Sequence, residues 1–220
     1  GLILSRSSAS VSENGTFSDN FSVVLQSEPT ADVTLSVTDN DTSEVSYSPL
    51  SLVFGSGNWS VSQVITLTGL DDNVSDDNQS TLLTLSLSSS DGKYDNSSLS
   101  AQTVTVTTSD NDTVAVLISE SSLSVGEDGT SDTFTVRLNS EPTLTVLVSM
   151  DLNGSDELSV SDNLSFGSDN WSVAQTVMVT GVDDNVSDDN QTSVLSVLSS
   201  SNDSKYNGLS DNLSVVTTDN

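Results

Sequence analysis

The two halves of this 220-residue chain spell out nearly the same text. Gly69-Leu70-Asp71-Asp72-Asn73-Val74-Ser75-Asp76-Asp77-Asn78-Gln79 returns as Gly181-Val182-Asp183-Asp184-Asn185-Val186-Ser187-Asp188-Asp189-Asn190-Gln191. Asn58-Trp59-Ser60-Val61 pairs with Asn170-Trp171-Ser172-Val173, and Ser27-Glu28-Pro29-Thr30 with Ser140-Glu141-Pro142-Thr143. Lys93-Tyr94 pairs with Lys205-Tyr206, and Val11-Ser12-Glu13-Asn14-Gly15 with Val125-Gly126-Glu127-Asp128-Gly129. The separation of 112 to 114 residues exceeds the roughly 20–50 of a solenoid unit, and each copy is long enough to bury a core of its own. Two domains are expected, over 1–110 and 111–220. The opening Gly1-Leu2-Ile3-Leu4-Ser5 matches Val116-Leu117-Ile118-Ser119, and the closing Thr218-Asp219-Asn220 matches Ser109-Asp110-Asn111. Both ends thus share one phase of the repeat, as expected of a window from a longer array.

Helical periodicity is missing. Short runs of Val, Thr, Leu and Ser alternate apolar with polar, the pattern of half-buried antiparallel strands. Strands are expected near Leu2–Leu4, Phe21–Leu25, Val33–Val37, Val45–Tyr47, Gln63–Thr68, Thr81–Leu87 and Thr103–Thr107, with a short extended piece at Leu52–Phe54. The second copy repeats them at Val114–Ile118, Phe134–Leu138, Thr145–Met150, Leu158–Val160, Gln175–Thr180, Thr192–Leu198 and Leu213–Thr217. The fold class is therefore all-β: two tandem immunoglobulin-like antiparallel β-sandwiches of about seven strands each. Glu28-Pro29 and Glu141-Pro142 mark corners. Asn14-Gly15, Asp128-Gly129, Asp91-Gly92 and Asn207-Gly208 are expected to supply positive φ. Phe21, Val23, Phe134 and Val136 face the core. Trp59 and Trp171 read as plugs at the sandwich end, with a sugar-stacking platform as the alternative, and Tyr94 and Tyr206 as packing residues.

Charge limits the partners. Thirty-two acidic residues face four basic ones, Arg6, Lys93, Arg137 and Lys205, for a net −28. Such a balance excludes nucleic acid, because no basic patch displaces counterions from phosphate, and disfavours anionic lipid. No run of about 18 apolar residues is present to insert in a membrane. With no histidine or cysteine, the commonest general base and the thiol nucleophile are missing, and no enzyme is expected. Nor can disulfides brace the domains.

Each copied loop packs four carboxylates and two amides into eight residues with no cation among them. Two carboxylates about 4 Å apart repel by roughly 1 kcal/mol in water, and more where water is excluded. Such a cluster is either a solvated turn suited to saline surroundings or a site filled by cations. Calcium takes six to eight oxygens from carboxylates, amides, carbonyls and water. The loop is no EF-hand, since Asp76 stands where the glycine belongs and Leu82 where the bidentate glutamate belongs. A second acidic group, Asp110-Asn111-Asp112, marks the repeat boundary, and Glu13 and Glu127 lie early in each copy. In an antiparallel sandwich these three segments converge on one pole. Calcium is the expected cofactor, with candidate ligands Glu13, Asp71, Asp72, Asp76, Asp77 and Asp110 in the first copy and Asp112 at the boundary. Those of the second are Glu127, Asp183, Asp184, Asp188 and Asp189.

An early glutamate, an Asp-Asp loop before the penultimate strand and an Asp-rich close resemble the Calx-β type repeat. The residues are Glu13 and Glu127, Asp71-Asp72 and Asp183-Asp184, and Asp110 with Asp112. Cadherin-like repeats are a weaker likeness. The resemblance spans both copies and implies a β-sandwich holding calcium at one end, in bacterial and other cell-surface proteins. Where that family has a Gly-Asp-Glu step, this chain has Asp76-Asp77-Asn78-Gln79 and Asp188-Asp189-Asn190-Gln191.

Asparagine in Asn-X-Ser/Thr recurs well beyond chance and points to a glycan coat. The candidates are Asn14, Asn20, Asn40, Asn58, Asn73, Asn78, Asn96 and Asn111, then Asn153, Asn163, Asn170, Asn185, Asn190, Asn202 and Asn212. Sugar on Asn73 or Asn78 would remove an amide ligand from the loop. The expected function is structural: an extracellular module of a long stalk, fibre or filament, secreted or at the cell surface and rigidified by calcium. Its partners are neighbouring repeats or copies of itself, joined covalently or by strand exchange. An adhesin gripping carbohydrate or a partner protein is the alternative. It calls for divergent, aromatic-rich loops, and these are alike and aromatic-poor.

Overall fold

Alternating hydroxyl and apolar side chains give a pleated ribbon one face for a core and one for water. In Gln79–Ser89, Leu83, Leu85 and Leu87 turn inward and are buried, whereas Leu82, Thr84, Ser86 and Ser88 occupy the other face. A computed structural model describes the chain apart from residues 96–98, 184, 185, 188 and 220. Among the described residues there are strands and turns and no helix. The chain divides into two compact units, Gly1–Asp72 with Asp76–Asn111, and Asn73–Ser75 with Asp112–Asn220.

The first unit runs β1 (Leu2–Leu4), β2 (Ser8–Ser12), β3 (Asp19–Leu25), β4 (Val33–Asp39), β5 (Val45–Ser48), β6 (Ser51–Phe54), β7 (Gln63–Gly69), β8 (Gln79–Ser89) and β9 (Gln102–Ser109). One sheet has the order β1-β3-β7-β5 and the other β2-β9-β8-β4-β6. Between them lie Phe21, Val23, Leu35, Phe54, Ile65 and Leu83, each fully buried. The second unit repeats this with β10 (Val116–Ile118), β11 (Ser122–Gly126), β12 (Ser131–Leu138), β13 (Val146–Asp151), β14 (Leu158–Val160), β15 (Leu164–Phe166), β16 (Gln175–Gly181), β17 (Gln191–Ser201) and β18 (Ser210–Thr218). Its sheets are β10-β12-β16-β14 and β11-β18-β17-β13-β15, around Phe134, Val136, Phe166 and Val177. Each unit is an immunoglobulin-like β-sandwich.

Among the described residues each unit has nine strands rather than the seven expected. Part of the excess is β2 and β11, reached when the chain leaves one sheet after β1 or β10 and crosses to the other. There β2 lies parallel to β9, with Ser8 opposite Thr105 and Ser12 opposite Ser109, and β11 lies parallel to β18. These are the only parallel pairs among the described strands; the rest are antiparallel as expected.

The pole where β3 ends and β4 begins is held by two repeated motifs. Tyr94 is buried, and its hydroxyl donates to the Ser27 carbonyl at 2.7 Å. Asp91 accepts from the Thr30 N–H at 2.8 Å and the Lys93 N–H at 3.0 Å. In the second unit the Tyr206 hydroxyl donates to the Ser140 carbonyl at 2.7 Å, and Asp203 accepts from the Thr143 N–H at 2.9 Å. Trp59 and Trp171 pack half-buried against their cores. Gly15, Gly129 and Gly208 adopt positive φ, but Gly92 does not: the Asp91 carboxylate shapes that turn by taking the Lys93 N–H.

Candidate metal centre

The first pole is assembled from strand ends. Parallel pairing of β2 with β9 brings their last residues, Ser12 and Ser109, side by side, so that Glu13 and Asp110 leave the sheet together. The Glu13 N–H donates to the Ser109 carbonyl at 3.2 Å. Gly69 closes β7 directly beneath, where an added Cβ would collide with the Ser12 carbonyl oxygen. Only glycine admits so close an approach of two backbones. The register of Val45 with Gly69 sets Glu44, just before β5, beside the start of the acidic loop. The Leu70 N–H donates to the Glu44 carbonyl at 3.0 Å.

The loop folds back on Asp110 through a reciprocal clamp. The Asp77 N–H donates to Asp110 Oδ2 at 2.8 Å, and the Asp110 N–H donates to Asn78 Oδ1 at 3.2 Å. Asp77 adopts φ 67°, a left-handed conformation that aspartate and asparagine tolerate better than most residues. Gln79 Nε2 donates to the Asp76 carbonyl at 2.7 Å, and the Asn111 N–H donates to Glu13 Oε2 at 3.4 Å.

Glu13 is 3% exposed and Glu44 5%. Burial is the main force pushing the Glu13 carboxyl up to about 7; the Asn111 N–H opposes it, and Asp110, Asp72 and Glu44 add repulsion. Burial also raises Glu44, with repulsion from Asp76, Asp41 and Asp72 and opposition from the Ser43 hydroxyl. The charges acting most strongly on both are negative. Glu44 Oε2 is buried without a hydrogen-bond partner, a condition that costs a charged group on the order of 1–3 kcal/mol or more. Asp76 Oδ1 and Asp112 Oδ2 are buried oxygens too. Glu13 and Asp110 each present a carboxylate oxygen within 4.8 Å of the other. Hard, negative, partly dehydrated oxygens converging in this way fit a calcium-sized cation and the oxygen ligands it prefers.

The second unit builds the same frame. Glu127 is 3% exposed, and its N–H donates to the Thr218 carbonyl at 3.2 Å. The Asp189 N–H donates to Asp219 Oδ2 at 3.1 Å, and the Asp219 N–H to Asn190 Oδ1 at 3.3 Å. Asp189 has φ 65°, and a Cβ on Gly181 would meet the Gly126 carbonyl. The Val182 N–H donates to the Glu157 carbonyl at 2.9 Å.

Among the expected ligands of the first unit, Glu13 and Asp110 come together, and Asp72 and Asp76 act electrostatically on the buried glutamates. Asp71, Asp77, Asp183 and Asp189 have exposed side chains, and the backbones of Asp77 and Asp189 form the clamp. Asp184 and Asp188 lie outside the described residues. Sequence reasoning missed Glu44 and Glu157. A signal existed: of the seven glutamates, Glu13, Glu28 and Glu44 recur as Glu127, Glu141 and Glu157, leaving only Glu120 without a counterpart. Recurrence narrows the glutamates to three pairs, of which Glu13/Glu127 and Glu44/Glu157 are buried or half-buried at the pole.

The candidate sugar acceptors are placed unevenly. Asn58, Asn153 and Asn170 turn their amide nitrogens onto backbone carbonyls. Asn40, Asn78 and Asn190 lend Oδ1 to a backbone N–H, Asn14 holds Thr16, and Asn212 accepts from the Ser196 hydroxyl. Asn20, Asn73, Asn111, Asn163 and Asn202 are exposed. Asn96 and Asn185 lie outside the described residues.

Fold and pole define a class: tandem immunoglobulin-like β-sandwiches with an acidic, strand-end pole. No protein-family model matches the chain, and no curated protein matches it. Solved structures with a similar arrangement include a calcium-binding domain, CBD12, of CALX1.1, 16% identical with a TM-score of 0.40, over 91% of this chain and 79% of that one. The titin domains z1z2 in complex with telethonin are 13% identical with a TM-score of 0.42, over 100% and 96%. The periplasmic chaperone SfaE is 7% identical with a TM-score of 0.39, over 100% of each chain. At these identities the likeness is one of architecture.

Proposed function

We propose that the chain is a calcium-stiffened structural module of Calx-β type, from a secreted or surface-anchored stalk, fibre or filament. One observation carries the calcium reading: two glutamates, Glu13 and Glu44, are buried among like charges, and one of their oxygens has no hydrogen-bond partner. A fold that keeps such groups at neutral pH is stabilised by a cation that neutralises them. Glu13, Glu44, Asp72, Asp76 and Asp110 hold it in the first unit, with Glu127, Glu157 and Asp219 as counterparts in the second. Calcium supplies the positive charge, and the residues supply a preshaped oxygen frame. Asp110 to Asp112 is where the chain leaves the first unit, so a cation held there fixes the exit direction of the linker. Without it the carboxylates repel and the linker slackens. The module carries no catalytic step, and its partners are neighbouring repeats or further copies, under a coat of N-linked sugar.

Extracellular calcium modules bind at about 10⁻⁴–10⁻³ M. At about 10 mM calcium that stabilises the fold by roughly 1.4–2.7 kcal/mol through mass action. Calorimetric melting in 10 mM calcium and then in excess chelator tests this. A rise of several degrees with calcium, not matched by magnesium, is expected; a shift below one degree returns these loops to solvated turns.

A further inference from the structure

Fifteen asparagines stand in the acceptor pattern for an N-linked sugar, and the fold sorts them. Attachment joins the anomeric carbon of a phosphate-activated glycosyl donor to Nδ2. The bond from that carbon to the phosphate leaving group breaks, and Nδ2 gives up one proton. The nitrogen must therefore face solvent, and the tripeptide must be open to a transferase.

The repeated Asn-Trp-Ser corners fail on the first count. Asn58 Oδ1 accepts the Gly55 N–H at 2.7 Å, while its Nδ2 donates to the Val53 carbonyl at 3.0 Å, which also receives Gln63 Nε2 at 3.0 Å. Asn170 makes the same set with Gly167, Ser165 and Gln175 at 2.7, 3.1 and 2.9 Å. Both amides are locks between the strands on either side of the corner, which explains their recurrence without any sugar. Asn153 is likewise committed, its Nδ2 donating to the Val194 carbonyl at 2.9 Å.

Others fail on the second count. Asn20 and Asn212 lie within strands, followed by Phe21 and Leu213 in the core. Asn202 precedes Asp203, which is buried and tied to Thr143. Asn73, Asn78, Asn111 and Asn190 belong to the acidic pole, where Asn78 and Asn190 serve the clamp. Asn163 comes nearest to meeting both. It is exposed, stands in the coil before the three-residue edge strand β15, and carries no hydrogen bond to the described residues; Leu164 and Ser165 open that edge strand, Leu164 half-buried against the core and Ser165 exposed.

We propose that Asn163 is an N-glycan acceptor of the folded second unit, and that Asn58, Asn153 and Asn170 are structural locks that carry no sugar. This rests on the extracellular part of the functional reading and is independent of calcium. The test is expression through a secretory host with active N-glycosylation, followed by peptide mass spectrometry of the folded fraction before and after enzymatic deglycosylation. Sugar on Asn163 and bare Asn58, Asn153 and Asn170 are expected. Asn163→Gln should lose one glycan mass and melt as before, whereas Asn170→Gln should keep its mass and melt several degrees lower. A bare Asn163, or sugar on Asn58, Asn153 or Asn170 in folded protein, overturns the assignment. The calcium response of the same preparation reads the metal proposal separately.

Discussion

Replacing Glu13 with glutamine is expected to stabilise the calcium-free protein and to blunt its response to calcium. The Glu13 carboxyl ionises near 7 instead of 4.5 because it is buried beside Asp110, Asp72 and Glu44. A raised carboxyl favours the folded state only while protonated. The cost of Glu13 is therefore absent below pH 4.5, grows as pH rises to about 7 and is complete above it. At about 1.4 kcal/mol for each tenfold in proton affinity, the ceiling is about 3 kcal/mol. Water and salt at the mouth of the pole screen part of it, leaving about 1–2 kcal/mol. Glutamine keeps an oxygen for the Asn111 N–H and removes the charge. For a domain of this size that raises the first unit's melting temperature by about 5–10 °C at pH 8 in chelator, and by nothing at pH 4.5. In calcium the order closes or inverts, because losing a charged ligand weakens binding by about tenfold or more. Differential scanning calorimetry at both pH values, with calcium and with chelator, reads all four conditions. A variant that is less stable in chelator, or that gains as much from calcium as the parent, refutes the reasoning.

Three further outcomes are expected. Tyr206→Phe removes the hydroxyl that serves the Ser140 carbonyl and N–H at 2.7 and 3.0 Å. With Ser140 fully buried, the second unit should lose about 1–3 kcal/mol; an unchanged calorimetric transition would contradict the burial. Gly69→Ala drives a methyl into the Ser12 carbonyl, so it should destabilise the first unit by about 1–3 kcal/mol and weaken calcium binding measured by titration calorimetry. Asp91 is held below the usual carboxylate range, first by the Thr30 N–H and then by the Lys93 N–H. Its stabilisation is present above pH 3.8 and lost as pH falls through the lower folded value, so Asp91→Asn should flatten the acid limb of the first unit's pH–melting profile.

Much of the fold is legible because alternation is local. The run Thr81–Leu87 announces its two faces without help from elsewhere, and the duplication announces two domains. What was not legible is nonlocal or weakly written. Ser8-Ala9-Ser10-Val11-Ser12 has the right period, but only Ala9 and Val11 to mark it, and its parallel partner β9 lies almost a hundred residues away. Glu13 and Asp110 were found by residue type; that they meet follows from that pairing. Glu44 escaped because its position depends on the register of Val45 with Gly69, which no window around Glu44 contains. Asp71, Asp72 and Asp77 all have exposed side chains, and a run of aspartates does not say which of its members turn inward.

The clamp explains why the loop copies are so alike while other loops have drifted. In both units a left-handed aspartate offers its N–H to the closing aspartate, and an asparagine oxygen takes that aspartate's N–H in return. These bonds use backbone on one side of each pair, so they fix the path of the loop without consuming the carboxylates of Glu13, Glu44 or Asp72. One oxygen of Asp110, Oδ2, takes the Asp77 N–H of the clamp. The shape of the pole is thus set by neutral amides and glycine contacts, and its negative charge by how many carboxylates the strand ends deliver. Two properties set by different residues can be tuned apart, so a repeated module can keep the form of its pole while the pole's charge varies.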